Sequence, residues 1–196
     1  VVCRRQRQMC IRDSTFTVES VEEAGVGDRY CLDFLSLFSV GEGLLVGSSA
    51  DAMFLVHSET VPSTFVPTRP FRVNAGSPHA YVMMADGNTR YMAELTAGDE
   101  LLAVDQKGNG RSVVLGRLKI EQRPMLKIVG KKHTKTHQNA NTCHVFMQQA
   151  ETVRLITGDS TAVSVTALEK GQPVLGWEGH AARHVGRPVK GGVEER

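Results

Sequence analysis

The sequence predicts a mainly β protein, built as small β-barrel-like units from short antiparallel strands and hairpins. Three observations point there. From residue 15 onward, short apolar runs alternate with Gly, Asn, Asp and Pro punctuation. No segment carries a helical stripe sustained over three turns. Polar-Gly-polar approaches recur just ahead of apolar runs. The chain has 196 residues, 41% of them hydrophobic and 22% charged, enough for a real core and too apolar for a disordered chain. No run approaches the ~18 apolar residues of a membrane-spanning helix.

Residues 1–14 (VVCRRQRQMCIRDS) stand apart. They have no strand or helical period and no signal-peptide core, and they read as translated sequencing-adapter DNA rather than protein. On that reading the natural chain continues upstream, and its missing N-terminal half is a partner of this one. These residues hold four of the arginines and one aspartate. Without them 19 basic and 20 acidic residues remain, so the pI near 8.4 does not indicate nucleic acid. Cys31 and Cys143 remain, far apart and with no zinc spacing, which points to free thiols and a reducing compartment.

The elements follow in order. Residues 29–38 read as a buried strand, and Gly41-Glu42-Gly43 punctuates before 44–47. Residues 52–57 are apolar but too short for period alone to separate strand from helix. Runs 79–85 and 90–95 flank an Asp86-Gly87-Asn88 turn. Runs 100–105 and 112–122 flank a hairpin loop whose Asn109-Gly110 is the strong signal. Pro124 should break the ladder before 125–129 resumes it, and 144–147, 152–157, 162–165 and 174–177 complete the set. Residues 15–186 form the domain, with a division into 15–130 and 142–186, and 187–196 are a tail. The connector 131–141 holds His133 and His137 at i, i+4. Its Thr and Asn residues argue against the helix a metal pair would need.

A weak repeat links Val26-Gly27-Asp28, Ala97-Gly98-Asp99 and Lys170-Gly171-Gln172, each preceding a β run. It suits related β units equally with a common strand-entry turn.

Chemistry concentrates in residues 57–81. His57 and Glu59 at i, i+2 would share a strand face, where a carboxylate raises and orients an imidazole for proton transfer. Arg69 and Arg72 offer planar forks for a carboxylate or phosphate, Asn74 precedes a turn, and His79 and Tyr81 again share a face. Lys119 alternates with Leu118 and Ile120, as a solvated lysine or an amine meeting substrate. The inventory suits a buried polar network as readily as catalysis or binding, and a metal least. Gly41–Gly47 lacks dinucleotide-fingerprint and P-loop spacing.

These strings also carry a resemblance. GDRYCLDFLSLFSVGEGLLVGSSADAMFLVHSE, RPFRVNAGSPHAYV, ELTAGDELLAVDQKGNGR, GRLKIEQRP, QQAETVRLI and ARHVG resemble, in this order, the type II 3-dehydroquinate synthases. The resemblance implies an oxidoreductase of aromatic amino-acid (shikimate) biosynthesis, cytoplasmic or plastid if algal. It implies NAD-dependent oxidative deamination of 2-amino-3,7-dideoxy-D-threo-hept-6-ulosonate and its cyclisation to 3-dehydroquinate. His57, Glu59, His79 and Lys119 are then the candidate catalytic residues, and Arg69, Arg72, Asn74 and Tyr81 the candidate substrate or cofactor contacts. No metal, nucleic acid or membrane is expected. Ser49-Ala50-Asp51-Ala52 departs from the family pattern, and the missing front half implies a piece inactive alone. A stand-alone β-barrel binding module without turnover is the rival reading.

Overall fold

The computed structural model describes residues 15–63, 66–132, 142–179, 183–184 and 187–188. Among the described residues fourteen strands run in chain order: β1 (Thr15–Phe34), β2 (Glu42–Gly47), β3 (Ala52–His57), β4 (Arg72–Gly76), β5 (Tyr81–Met83), β6 (Thr89–Tyr91) and β7 (Glu100–Asp105). Then come β8 (Gly110–Lys131), β9 (Thr142–Gln148), β10 (Arg154–Ile156), β11 (Ala162–Ser164), β12 (Pro173–Glu178), β13 (Arg183–His184) and β14 (Arg187–Pro188). Residues 1–14, the His133/His137 connector and residues 189–196 lie outside the described residues.

The mainly β expectation holds, but the strands are not all short. β1 has 20 residues and β8 has 22, and they pair along a long antiparallel ribbon. Pro124 does not break that ribbon. It sits opposite Val26 at a register shift, where a missing N–H costs no ladder bond, and its carbonyl accepts from the Gln149 N–H at 2.9 Å. The run 29–38 is strand only to Phe34. Leu35, Leu37 and Val40 are exposed in the following loop, and Phe38 returns edge-on to Phe34. Residues 92–94 and 165–167 are single 3-10 turns rather than strand continuations.

Strand pairing closes on itself. β2 pairs β3, β3 pairs β12, β12 pairs β1, β1 pairs β8, β8 pairs β7 and β7 pairs β2, all antiparallel. Residues on both sides of the 131–141 connector belong to this one sheet, and Phe16, Phe54, Val73, Leu115, Val145 and Val174 share one core. Each such large side chain contributes roughly 1.5–3 kcal/mol by leaving water. β3 explains its unbroken apolar run. Phe54 and Val56 face the main core, whereas Met53 and Leu55 face a second cluster with Leu45, Tyr81 and Met83. A strand buried on both faces has no polar alternation to show.

Two copies of the repeat are structural. Met84–Asn88 and Thr157–Thr161 close the same five-residue turn, with Gly87 (φ +84°) and Ser160 (φ +68°) in its left-handed position. A short strand, a 3-10 turn, a left-handed Gly98 or Gly171, and β7 or β12 follow each. The pairings match as well: β5 and β7 on β2, β10 and β12 on β3. The third copy is not one, since Gly27 lies inside the β1 ribbon. The β7–β8 hairpin turns on Gly108 (φ +86°), not on Asn109-Gly110. Asp105 prevails there by accepting the Lys107 and Asn109 N–H groups.

Candidate functional site

The ribbon has a core face and a polar face. Leu32 and Phe34 of β1 point inward, so Arg29, Cys31 and Asp33 point outward. Opposite them on β8 stand Glu121, Lys119 and Arg117, in register as Arg29↔Glu121, Cys31↔Lys119 and Asp33↔Arg117. β4 adds Arg72 beside Asp33 and Asn74 beside Cys31, because Val73 and Ala75 take the core side. β9 reaches the same face with Gln148 and Phe146, while Cys143, Val145 and Met147 face the core. The polar face is thus continuous from β8 across β1 and β4 to β9.

The expected His57–Glu59 dyad is not formed. His57, buried at the end of β3, accepts the Gly41 N–H at Nε2 (2.9 Å), with Nδ1 facing the Ser58 backbone without a well-formed bond. Burial lowers its pKa, offset in part by the Ser58 backbone; no carboxylate raises it. Glu59 lies beyond the strand end, in an isolated bridge to Arg69, and accepts from the Arg69 guanidinium at 3.1 Å. Neither is the Arg72 fork free. Its Nε and one terminal nitrogen donate to both Asp33 oxygens at 2.6 and 2.9 Å, within a buried pair, and Asp33 raises its pKa. Burial alone would raise the Asp33 carboxyl, but hydrogen bonds and charge from Arg72 and Arg117 outweigh it and hold the pKa low. So Arg69 and Arg72 knit the β3–β4 connection to β1, which answers the carboxylate these forks would otherwise seek.

The remaining candidates fall in three places. Asn74 is buried and donates to Gln148 Oε1 at 2.7 Å, with its own Oδ1 unpartnered. Tyr81 is buried, donates to the Tyr91 hydroxyl at 2.5 Å and packs on its ring. His79 is exposed at the β4–β5 connection, with Nε2 3.3 Å from the Ser48 hydroxyl and its ring edge-on to Phe146. Loss of solvation lowers its pKa, which favours the neutral ring. Lys119 is exposed and ion-paired to Glu121 at 2.7 Å. Glu121 also meets Arg123 (2.8 Å) and Arg29, and its pKa is lowered to about 2, first by the Lys119 hydrogen bond.

Sequence reasoning missed Arg29, Asp33, Arg117, Glu121, Gln148 and Ser48. The signal was present. Arg29, Cys31, Asp33 and Arg117, Lys119, Glu121, Arg123 place polar groups at period two on two strands. Cys31 is fully buried, but under this polar face beside the Arg29 guanidinium, and burial pushes its thiol up. Cys31 and Cys143, the cysteines among the described residues, are both free.

Two long motifs turn out to be matters of backbone fit. A Cβ on Gly43 would lie 1.9 Å from the Val56 carbonyl oxygen, and Glu42 O accepts from Ser58. Gly76 (φ +95°) brings β4 to within contact of the Phe146 carbonyl, where a Cβ would stand at 2.3 Å. Among the described residues no group of three metal-ligating side chains converges, and no helix is long and apolar enough to cross a membrane.

Residues 15–196 match the family model described as the 3-dehydroquinate synthase II C-terminal domain. The chain belongs to that family. It is 46% identical over 180 residues to the 3-dehydroquinate synthase of Methanosphaera stadtmanae, covering 92% of this chain and 48% of that one. The 3-dehydroquinate synthase of Methanocaldococcus jannaschii is 44% identical over 92% of this chain and 48% of its own. A 3-dehydroquinate synthase homolog of Aquifex aeolicus is 43% identical over 93% and 53%. The chain therefore spans about half the length of the curated relatives it matches. No solved structure matches. In this domain the polar ribbon face and the His79–Ser48 pair both bring buried polar groups beside exposed ones.

Proposed function

We propose that this chain is the C-terminal part of a type II 3-dehydroquinate synthase. The whole enzyme would catalyse NAD-dependent oxidative deamination of 2-amino-3,7-dideoxy-D-threo-hept-6-ulosonate and its closure to 3-dehydroquinate. Similarity across 92% of the chain to relatives bearing that enzyme's name carries the reading. When bound, NAD would accept the hydride from the amine-bearing carbon. The described residues do not fit the nucleotide by themselves. Their only helical turns are three-residue 3-10 turns, so no helix N-terminus is offered to a pyrophosphate. The nucleotide then falls to the half that the longer relatives carry.

What this domain supplies is proton handling and substrate contact. His79, exposed and with its ring beside the Ser48 hydroxyl, takes or returns a proton at Nε2 or Nδ1. His57 serves the fold instead, because its Nε2 is committed to the Gly41 N–H.

The test joins this chain to the N-terminal half of the Methanosphaera relative and follows NADH formation with the amino-heptulosonate. Turnover that falls at least tenfold in His79→Gln, with folding unchanged, is the expected result. A folded, joined chain without turnover would leave the binding-module reading standing instead.

A further inference from the structure

We propose that the outward face around Glu121 is a carboxylate-binding subsite, with Glu121 as its resident counter-ion and Lys119 and Arg123 as the groups that receive the ligand. The proposal deepens the synthase reading and rests on it for the identity of the natural carboxylate.

Charge is the first argument. Without residues 1–14 the chain carries one more acidic than basic residue, yet here three cations share one carboxylate. Arg29 and Arg123 both meet Oε2 of Glu121, and Lys119 meets Oε1, an excess of two positive charges at one spot. The second argument is that the face is built rather than merely decorated. Arg29 is 6% exposed and is held by the Cys31 sulfur and Glu121, and Asn74, opposite Cys31, is 3% exposed. Each keeps an unpartnered polar atom, Nε of Arg29 as donor and Oδ1 of Asn74 as acceptor. Both atoms are buried, so they belong to the ordered base beneath the exposed cations. The third argument is access. The Lys119 and Arg123 side chains are 47% and 44% exposed, so an incoming anion reaches them without opening the core.

The chemistry of the resident group selects the ligand. A carboxylate already satisfies this constellation, and a guanidinium beside an ammonium offers the same planar and point donors to a second one. An external carboxylate would bridge Lys119 and Arg123 as Glu121 keeps Arg29. Because Glu121 competes for the same cations, its removal strengthens the site, which a purely structural ion network would not do.

The experiment is calorimetric titration of the 196-residue chain with quinate, 3-dehydroquinate and inorganic phosphate. The expected result has both carboxylates binding, at least tenfold more weakly to the Lys119→Gln/Arg123→Gln double variant and severalfold more tightly to Glu121→Gln. Both cations altered in the double variant are exposed, whereas Glu121→Gln takes a carboxylate from the buried Arg29, so circular dichroism and thermal melting check the fold of each variant before titration. Absent binding, binding indifferent to the double variant, phosphate binding as tightly as the carboxylates, or weakening in Glu121→Gln would each overturn the subsite. Binding with the expected pattern alongside a joined chain that never reduces NAD would keep the subsite and remove the synthase reading alone.

Discussion

Asp33 is the residue on which the polar face depends most. It sits buried between Arg72 and Arg117, accepting four hydrogen bonds from the two guanidinium groups. Replacing it by Asn leaves the buried Arg72 charge without its counter-ion, a loss of about 3–5 kcal/mol. Urea denaturation of Asp33→Asn at neutral pH checks this. Its folded pKa lies below the unfolded value of 3.8, so its stabilisation is present above about pH 3.8 and is lost as pH falls through the lower folded value. His57 acts in a higher window. Its folded pKa lies below 6.5, so the folded state favours the neutral ring and the unfolded chain takes the proton first. Stability is therefore full above about pH 6.5 and falls as pH drops below it. His57→Gln, which can still accept from Gly41, should flatten that slope while leaving the neutral-pH midpoint within about 1 kcal/mol. The residue types in this region were legible in the sequence; their partners were not. Spacing placed His57 near Glu59, but the fold brought Arg69, 10 residues away, to Glu59 and Asp33, 39 residues away, to Arg72.

At the scale of elements, the repeated five-residue turn and the glycine contacts make opposite predictions. Ser160 occupies a left-handed position that its sister turn fills with Gly87. Ser160→Gly should stabilise the chain by up to about 1 kcal/mol, read as a small rise in Tm. Gly76→Ala should do the reverse. Its φ of +95° and the Phe146 carbonyl at 2.3 Å from the new Cβ force β4 away from β9, lowering Tm by several degrees and broadening the His79 and Phe146 resonances. Strand existence was legible from apolar runs and turn residues. Strand length was not, because β1 leaves the core midway. Residues 22–26 are exposed, held by the β8 ladder rather than by an apolar face.

The whole molecule is held by closure. β12 is paired on one side with β1 and on the other with β3, so the last long strand joins the first to the third. Phe16, Phe54 and Val174 meet in the core at that seam. A chain ending at residue 172 should lose cooperative folding, since β1 and β3 would each expose an unpaired edge over apolar surface. Loss of amide dispersion in the NMR spectrum checks this, and a truncated chain that keeps a sharp unfolding transition would refute the closure argument.

By itself the sequence determined the class, the free thiols and the family, because these depend on local composition, period and ordered motifs. Only the tertiary structure decided which charges cancel. Arg72 and Arg69 look like open forks in one dimension and are closed by carboxylates in three, whereas Lys119, which the sequence offers as a solvated lysine or an amine meeting substrate, shares Glu121 with Arg123 and Arg29. The reason is physical: a charge finds its counter-ion through space at a few ångströms, and strand register, not sequence distance, sets which side chains come that close.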